Sequence, residues 1–377
     1  MHSSLRSLNF WRVIVINLLV STFVYMLMPL WPNTMVNEEA FSRQQSGWVM
    51  LIFCMGLIMP GPVASYLLDR FRRKKVCFWA VGVLAAVSFL AQQQMPPFAT
   101  VLCRLMQGAA FSLFHIALGS TILIDITISE RRNLAAYIYF WVCRFALALG
   151  PALGILALKP DLHAHLRYLP LACAGLAIYL IARIELPFRT PLRSSIFSRD
   201  RFWLSCSLPL VLVIFPIAFT LGIEMASNLN PLFYVYLFLG FVASMVLHFI
   251  VFNHADVRAE MVAGILAIMA AFLLLVTQDN DHMVVVAAAL TGYGVGNVMG
   301  RVLSFLTVTS RHTERGSAQV TYKLTFEMAL CIGFFLPCVV PCYAPLPFYV
   351  ASFVLAAATL VFYLFFVHNW MTRNAKR

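Results

Sequence analysis

Ser65-Tyr-Leu-Leu-Asp-Arg-Phe-Arg-Arg-Lys-Lys-Val76 is a short, strongly basic stretch set between two long apolar runs. Arg70, Arg72, Arg73, Lys74 and Lys75 supply its cations, and Asp69 stands at its head. With hydrocarbon-like sequence on both sides, the stretch has to be a turn at a membrane surface. Lys and Arg collect in cytoplasmic loops, so the charge places this turn on the cytoplasmic side. That rule alone would also produce such a loop with no further role.

The surrounding composition agrees. The chain is 62% hydrophobic and 11% charged, with a mean hydropathy of +0.85. Soluble domains are roughly 25% charged, so this is a polytopic membrane protein whose main solvent is lipid. The net charge of +12 does not point to nucleic acid, because the bases are spread over short loops and no nucleic-acid motif is present. Seven of the nine cysteines (Cys54, Cys77, Cys103, Cys143, Cys173, Cys206 and Cys331) fall in apolar runs, and none forms a C-x-x-C pair. They read as small buried hydrophobes. Cys338 and Cys342 are one helical turn apart, but no metal site is expected. The basic segment Met1–Arg12 precedes an apolar run too long for a signal-peptide core, so that run is expected to be a retained first helix.

A membrane helix needs about 20 apolar residues. Twelve runs qualify, at about 9–31, 47–68, 76–94, 97–127, 133–158, 168–187, 202–225, 230–252, 260–277, 283–309, 319–343 and 345–367. The predicted fold is therefore all-α with twelve transmembrane helices: a six-helix half over 1–187, a cytoplasmic linker at 188–201 and a second six-helix half over 202–377. Charge alternation supports the count. With the N-terminus inside, inner segments hold 20 of the 27 bases, and outer segments hold only Arg43, Lys159 and Arg167. Both termini are then cytoplasmic, and the expected location is the plasma (inner) membrane.

The four remaining bases lie within helices: Arg104, Arg144, Arg301 and Lys323. Glu327 joins them, with His115 as a neutral companion. A charge in hydrocarbon costs about 2.5–3.5 kcal/mol on insertion scales, so these residues should face a water-filled cavity or one another. Asp125 and Glu224 sit near predicted helix ends and are expected to reach the interface. The halves repeat faintly. At an offset of 184, Gly108 falls on Gly292 and Glu130-Arg131 on Glu314-Arg315; at 183, Gly150 falls on Gly333 and Arg144 on Glu327.

Several stretches carry a resemblance to the major facilitator superfamily. The opening stretch resembles its G-x-L-a-D-R-x-G-R-[RK] loop between helices 2 and 3: Asp69, Arg70, Arg73 and Lys74 match, while Ser65 and Arg72 stand at the glycine positions. Arg104-Leu-Met-Gln107-Gly108 resembles the family's R-x-x-Q-G motif, which implies a part for Arg104 in proton coupling. The other reading is an outer-end arginine reaching the headgroups. Ala146 through Gly150-Pro151 to Gly154-Ile155 resembles a motif found mostly in proton-driven exporters, with Ala146 and Ile155 in place of its outer glycines. It also reads as a small-residue packing face. By resemblance, Asp69 would latch the inner side against the N-terminal end of helix 11. The loops with Glu130, Arg131, Glu314 and Arg315 would be paired gates.

The candidate site is Arg144, Arg301, Lys323 and Glu327, with His115, Arg104 and Asn17. Lys323 and Glu327 are one turn apart and can pair. They either only neutralise each other or let Glu327 take a transported proton. The arginines leave a positive surplus, suited to carboxylate or phosphate. Helix 1 has no acid, only Asn17, Ser21, Thr22 and Tyr25.

The expectation is a secondary transporter working by alternating access, proton-coupled, with export favoured by the Gly150-Pro151 motif. The alternatives are a proton symporter importing an organic anion or sugar acid, and a flippase for anionic lipids. An intramembrane enzyme is not indicated, since the helices lack paired Asp, Ser with His, or a metal-spaced His set. No catalytic residue and no bound cofactor are expected; a proton gradient supplies the energy. The expected partners are a small-molecule substrate, with an anionic one favoured by charge, and the lipid bilayer. The chain is expected to work as a monomer.

Overall fold

The computed structural model describes every residue except 1–6, 39–40, 91–92, 94, 160, 163–165, 167, 187–194, 199–201, 251–255, 278–279, 312–313, 341–344 and 375–377. Most of the expected linker, Cys342 and the bases Arg6, Arg167, Arg189, Arg193, Arg199, Arg201, Lys376 and Arg377 lie outside the described residues. The described residues are helical, with no strand among them. In chain order the helices are α1 Leu8–Glu38, α2 Arg43–Ile58 continued by Gly61–Arg70, α3 Arg73–Leu90, and α4 Pro97–Ile126. There follow α5 Arg132–Ala157, α6 Leu169–Ala182, α7 Leu208–Ser227, α8 Pro231–Ile250, and α9 Val257–Thr277. The last are α10 Asp281–Thr309, α11 Arg315–Val339 and α12 Leu346–Asn374.

Among the described residues, nine of these helices are each long and apolar enough to cross a membrane, and the two parts of α2 make a tenth. The other two are α3, an 18-residue helix whose first turn carries Arg73, Lys74 and Lys75, and α6, with 14 residues. The arrangement is consistent with the twelve predicted spans.

Local chemistry sets the helix ends. α2 opens on a capping box: Ser42 Oγ accepts from Gln45 N at 3.2 Å, and Gln45 Oε1 accepts from Ser42 N at 2.9 Å. The helix bends by 50° beside Pro60 and Pro62, which lack the backbone donor. It then continues to Arg70, and α3 starts at Arg73. The basic stretch is thus two helix ends joined by Phe71 and Arg72, not an extended loop. Nothing between Tyr66 and Arg70 breaks a helix, and the charged side chains reach water from the helix end.

Helix contacts follow the glycines. Lipid gives no hydrophobic drive for one helix to leave it for another, so close packing of small residues matters. A Cβ on Gly56 or Gly108 would run into backbone of the facing helix, and the Gly56 Cα lies 3.0 Å from where the Gly108 Cβ would stand. On α8 and α10, Gly240 and Gly292 make the same crossing, with 3.2 Å between the equivalent atoms. Both members are displaced by 184 residues, the offset seen in the sequence repeat. α1 packs along α5 and α7 along α11, while α2–α11 and α5–α8 contacts join the first six helices to the last six.

Gly108→Val is expected to destabilise by at least about 1–3 kcal/mol, because backbone cannot yield to the added methyls. Gly82, with nothing within 4 Å of its Cβ position, is the control. Gly82→Ala should be neutral or stabilising by about 0.5–1 kcal/mol. Thermal melting in detergent checks both; equal losses would contradict the packing account.

Candidate functional site

Lys323 and Glu327 face α1 from one side of α11. Lys323 Nζ lies 2.6 Å from Glu327 Oε1 and donates to the Tyr25 hydroxyl at 3.1 Å. Tyr25 in turn donates to the same Glu327 oxygen. All three are buried. One bonded triad therefore ties α1 in the first six helices to α11 in the last six.

The triad stands between two cavities. One is a small cavity lined by Ser112, His115, Ser120, Tyr139, Gln319 and Lys323 among others. The other, also small, is lined by Tyr25, Phe53, Arg104, Glu327 and Cys331 among others. In the first, Ser112 Oγ, His115 Nε2 and Gln319 Oε1 have no hydrogen-bond partner among the described residues. Buried polar atoms are ordinarily satisfied, so three orphans in one cavity mark a place for a polar occupant. His115 is held by its other nitrogen, Nδ1, 2.9 Å from the Tyr139 hydroxyl. The π-turn at Leu118–Ile122 in α4 lies beside this cavity and contributes Gly119 and Ser120 to its wall.

Arg144 is 3% exposed. Its Nη2 donates to the Tyr322 hydroxyl at 2.9 Å, and its guanidinium carbon is 4.5 Å from the Trp141 ring centre. Nε and Nη1 have no partner, and no carboxylate is bonded to it among the described residues. Asn17 of α1 fills a structural place against α5: its amide nitrogen donates to Tyr139 O at 2.8 Å, and its amide oxygen accepts from Ser21 Oγ at 3.2 Å.

Arg104 is enclosed by protein rather than exposed at the surface. It is 2% exposed, bonded to Gln107, and its guanidinium lies 4.6 Å from the Phe53 ring centre and 5.3 Å from that of Trp31. Arg301 stands apart from the triad, bonded to Glu260 on α9, whose other oxygen is 2.9 Å from His248 Nδ1. Arg301 and Lys323 are both mid-helix bases, which is why they fall together in the sequence; Glu260 stands at a predicted helix start, where nothing in the sequence marks it as the partner of Arg301. With Arg301 neutralised by Glu260, the surplus charge near the triad comes from Arg104 and Arg144. Tyr322 was also missed, although it directly precedes Lys323.

The basic helix ends form a second cluster. Arg73 pairs with Asp125 at the end of α4, so Asp125 has a partner as well as surface access. Lys74 Nζ donates to Ala182 O at 2.6 Å and Ile184 O at 2.8 Å, capping the carbonyls that α6 leaves open at its end. Asp69 is half-buried, and Arg70 is exposed with its guanidinium 5.6 Å from the Tyr66 ring centre. Glu130 and Arg131 lie exposed on a short turn. Glu314 and Arg315 open α11, where Gly316 lies close to Ser120 of α4. Gly150 and Gly154 are contact points on α1: a Cβ on Gly150 would stand 2.6 Å from Thr22 O, and one on Gly154 would meet Met26 O. Pro151 sits between them inside α5.

Two solved structures share this architecture over nearly their full length. The human organic anion transporter MFSD10 (TETRAN) matches with a TM-score of 0.72 at 14% identity, covering 94% of this chain and 98% of that one. A mutant of the nucleoside transporter NupG matches with a TM-score of 0.64 at 15% identity, covering 94% and 100%. At such identities the likeness is one of fold. No curated protein matches the sequence. The sequence model of the Major Facilitator Superfamily matches residues 13–336, most of the described helices. With that match over residues 13–336, the chain belongs to the major facilitator superfamily and is a multi-pass membrane transporter.

Proposed function

We propose that this transporter moves a small organic anion together with protons, by alternating access. The observation that carries the reading is Arg144: a buried guanidinium with two nitrogens unpartnered and no carboxylate bonded to it. A carboxylate or phosphate group supplies the missing acceptors in bidentate form. The orphaned Ser112, His115 and Gln319 atoms offer places for the solute's other polar groups. One structural relative is described as an organic anion transporter, which agrees with this class.

Glu327 is the proposed proton carrier. When it takes a proton, the Lys323–Glu327 pair is lost and Lys323 becomes a buried cation without a counter-charge. An anion bound near Lys323 and Arg144 relieves that state. Proton and anion therefore favour each other's binding, and by linkage the coupling is reciprocal. Protonation also weakens the α1–α11 tie through Tyr25. An inward proton gradient would drive uptake through such a cycle. The export expected from Gly150 and Pro151 has support only from their motif; Gly150 and Gly154 serve α1–α5 packing. The positive-inside pattern supports an orientation with both termini cytoplasmic; the plasma membrane is the proposed location.

Proteoliposomes containing an internal pH dye test the coupling. An imposed gradient of an organic carboxylate or phosphate ester is expected to carry protons in the same direction, and Glu327→Gln should abolish that proton movement. Protons moving opposite to the solute would overturn cotransport.

A further inference from the structure

Glu224 lies one turn before the end of α7 and is 0% exposed. The sequence suggests that it reaches the interface; the fold instead closes α8, α10 and α12 around it. Tyr234, Thr291 and Tyr349 face it from these three helices. Tyr234 gives its hydroxyl proton to Met225 O at 3.0 Å. Thr291 lies alongside, yet neither its hydroxyl nor either Glu224 oxygen makes a hydrogen bond of ordinary geometry. From α11, Leu330, Gly333 and Phe334 pack on nearby Gly222 and bring no charge. Lys323 and Glu327 on that helix are bonded to each other and to Tyr25 of α1. No Lys, Arg or His among the described residues acts on Glu224.

A bare carboxylate in such surroundings is costly: the effective penalty is several kcal/mol per ion when no partner repays it. A neutral carboxylic acid incurs only the smaller cost of an unpaired polar group, and its O–H can donate to Thr291. We propose that Glu224 is a second proton-binding site, within the last six helices, occupied in this conformation. Half-exposed Ser227 and Asn228 lie within about a turn of it, so water is close. Parting of α7 from α8 and α12 would hydrate the carboxyl and release the proton to that water, and closure would take one back. This site does not depend on the anion reading or on Glu327.

Infrared difference spectra of wild type minus Glu224→Gln, recorded in lipid nanodiscs near neutral pH, test the proposal. A carboxylic-acid C=O band is expected in wild type and absent from the variant, unchanged when sodium replaces potassium. Thr291→Val should keep that band and shift it. Melting temperature provides a second readout. A native state holding a proton that the unfolded state has lost becomes less stable as pH rises. Wild type should therefore lose melting temperature relative to Glu224→Gln between mildly acidic and mildly alkaline buffer. No acid band, a band indifferent to Thr291→Val, or a band removed by sodium would each overturn the proposal, the last in favour of a metal cation. If Glu224→Gln does not fold, the Thr291→Val shift in wild-type background decides alone.

Discussion

Lys323→Met is expected to destabilise the purified transporter by about 3–5 kcal/mol, the range for breaking a buried ion pair by removing one partner. The loss comes less from the missing contact than from the charge left behind. Glu327 is 3% exposed and would keep only the Tyr25 hydroxyl as a donor. The remedy is to neutralise both members. Lys323→Met combined with Glu327→Gln should recover most of the stability, since replacing a buried pair with neutral groups is often tolerated. The double-mutant cycle, read by thermal melting in detergent, should therefore show strong non-additivity. Additive losses would mean that the two residues do not depend on each other, and the triad would lose its place as the tie between α1 and α11.

Arg144→Ala should weaken anion binding by about 2–5 kcal/mol, the range for truncating one partner of a buried, hydrogen-bonded charge pair. At about 1.4 kcal/mol per tenfold, that is roughly 30-fold or more in Kd. Arg144→Lys should restore only part, because an ammonium cannot match two oxygens with a planar fork. Tyr322→Phe removes only the hydroxyl that holds Nη2 and should cost about 0.5–1.5 kcal/mol. The stability of the empty protein should move differently. An under-partnered buried cation contributes little or negatively to folding, so Arg144→Ala is expected to melt no lower than wild type. A variant that binds as before, or one that simply unfolds, would contradict the assignment. Calorimetric titration and melting curves together separate these outcomes.

The fold was legible because hydrocarbon length and loop charge are properties of sequence alone. Arg73, Lys74 and Lys75 mark the end of a span wherever the helices go. Partner choice was not legible in the same way. Lys323 and Glu327 could be paired because both sit on one helix, four residues apart. Arg301 and Glu260 sit on different helices, and only the α9–α10 crossing brings them together. Glu224 shows the opposite failure. Its position near a helix end suggests water, whereas burial depends on α8 and α12 closing over that end. Gly56 and Gly240 could have been found: they share the offset that links Gly108 to Gly292, and a search for paired glycines at one spacing would have exposed both crossings.

A thermal-shift screen of the wild-type protein in detergent tests the central claim most directly. Organic carboxylates, sugar acids, phosphate esters and lipophilic cations would be compared at two pH values, beside Arg144→Ala. A ligand at about 100 times its Kd stabilises by about 2.7 kcal/mol, enough to read as a shift in melting temperature. Anions are predicted to raise the melting temperature, more so at the lower of the two pH values, as the proposed proton–anion coupling requires, and Arg144→Ala should remove the effect. Stabilisation by cations, unchanged in Arg144→Ala, would contradict the anion site and replace it with a cation-binding cavity centred on Glu327.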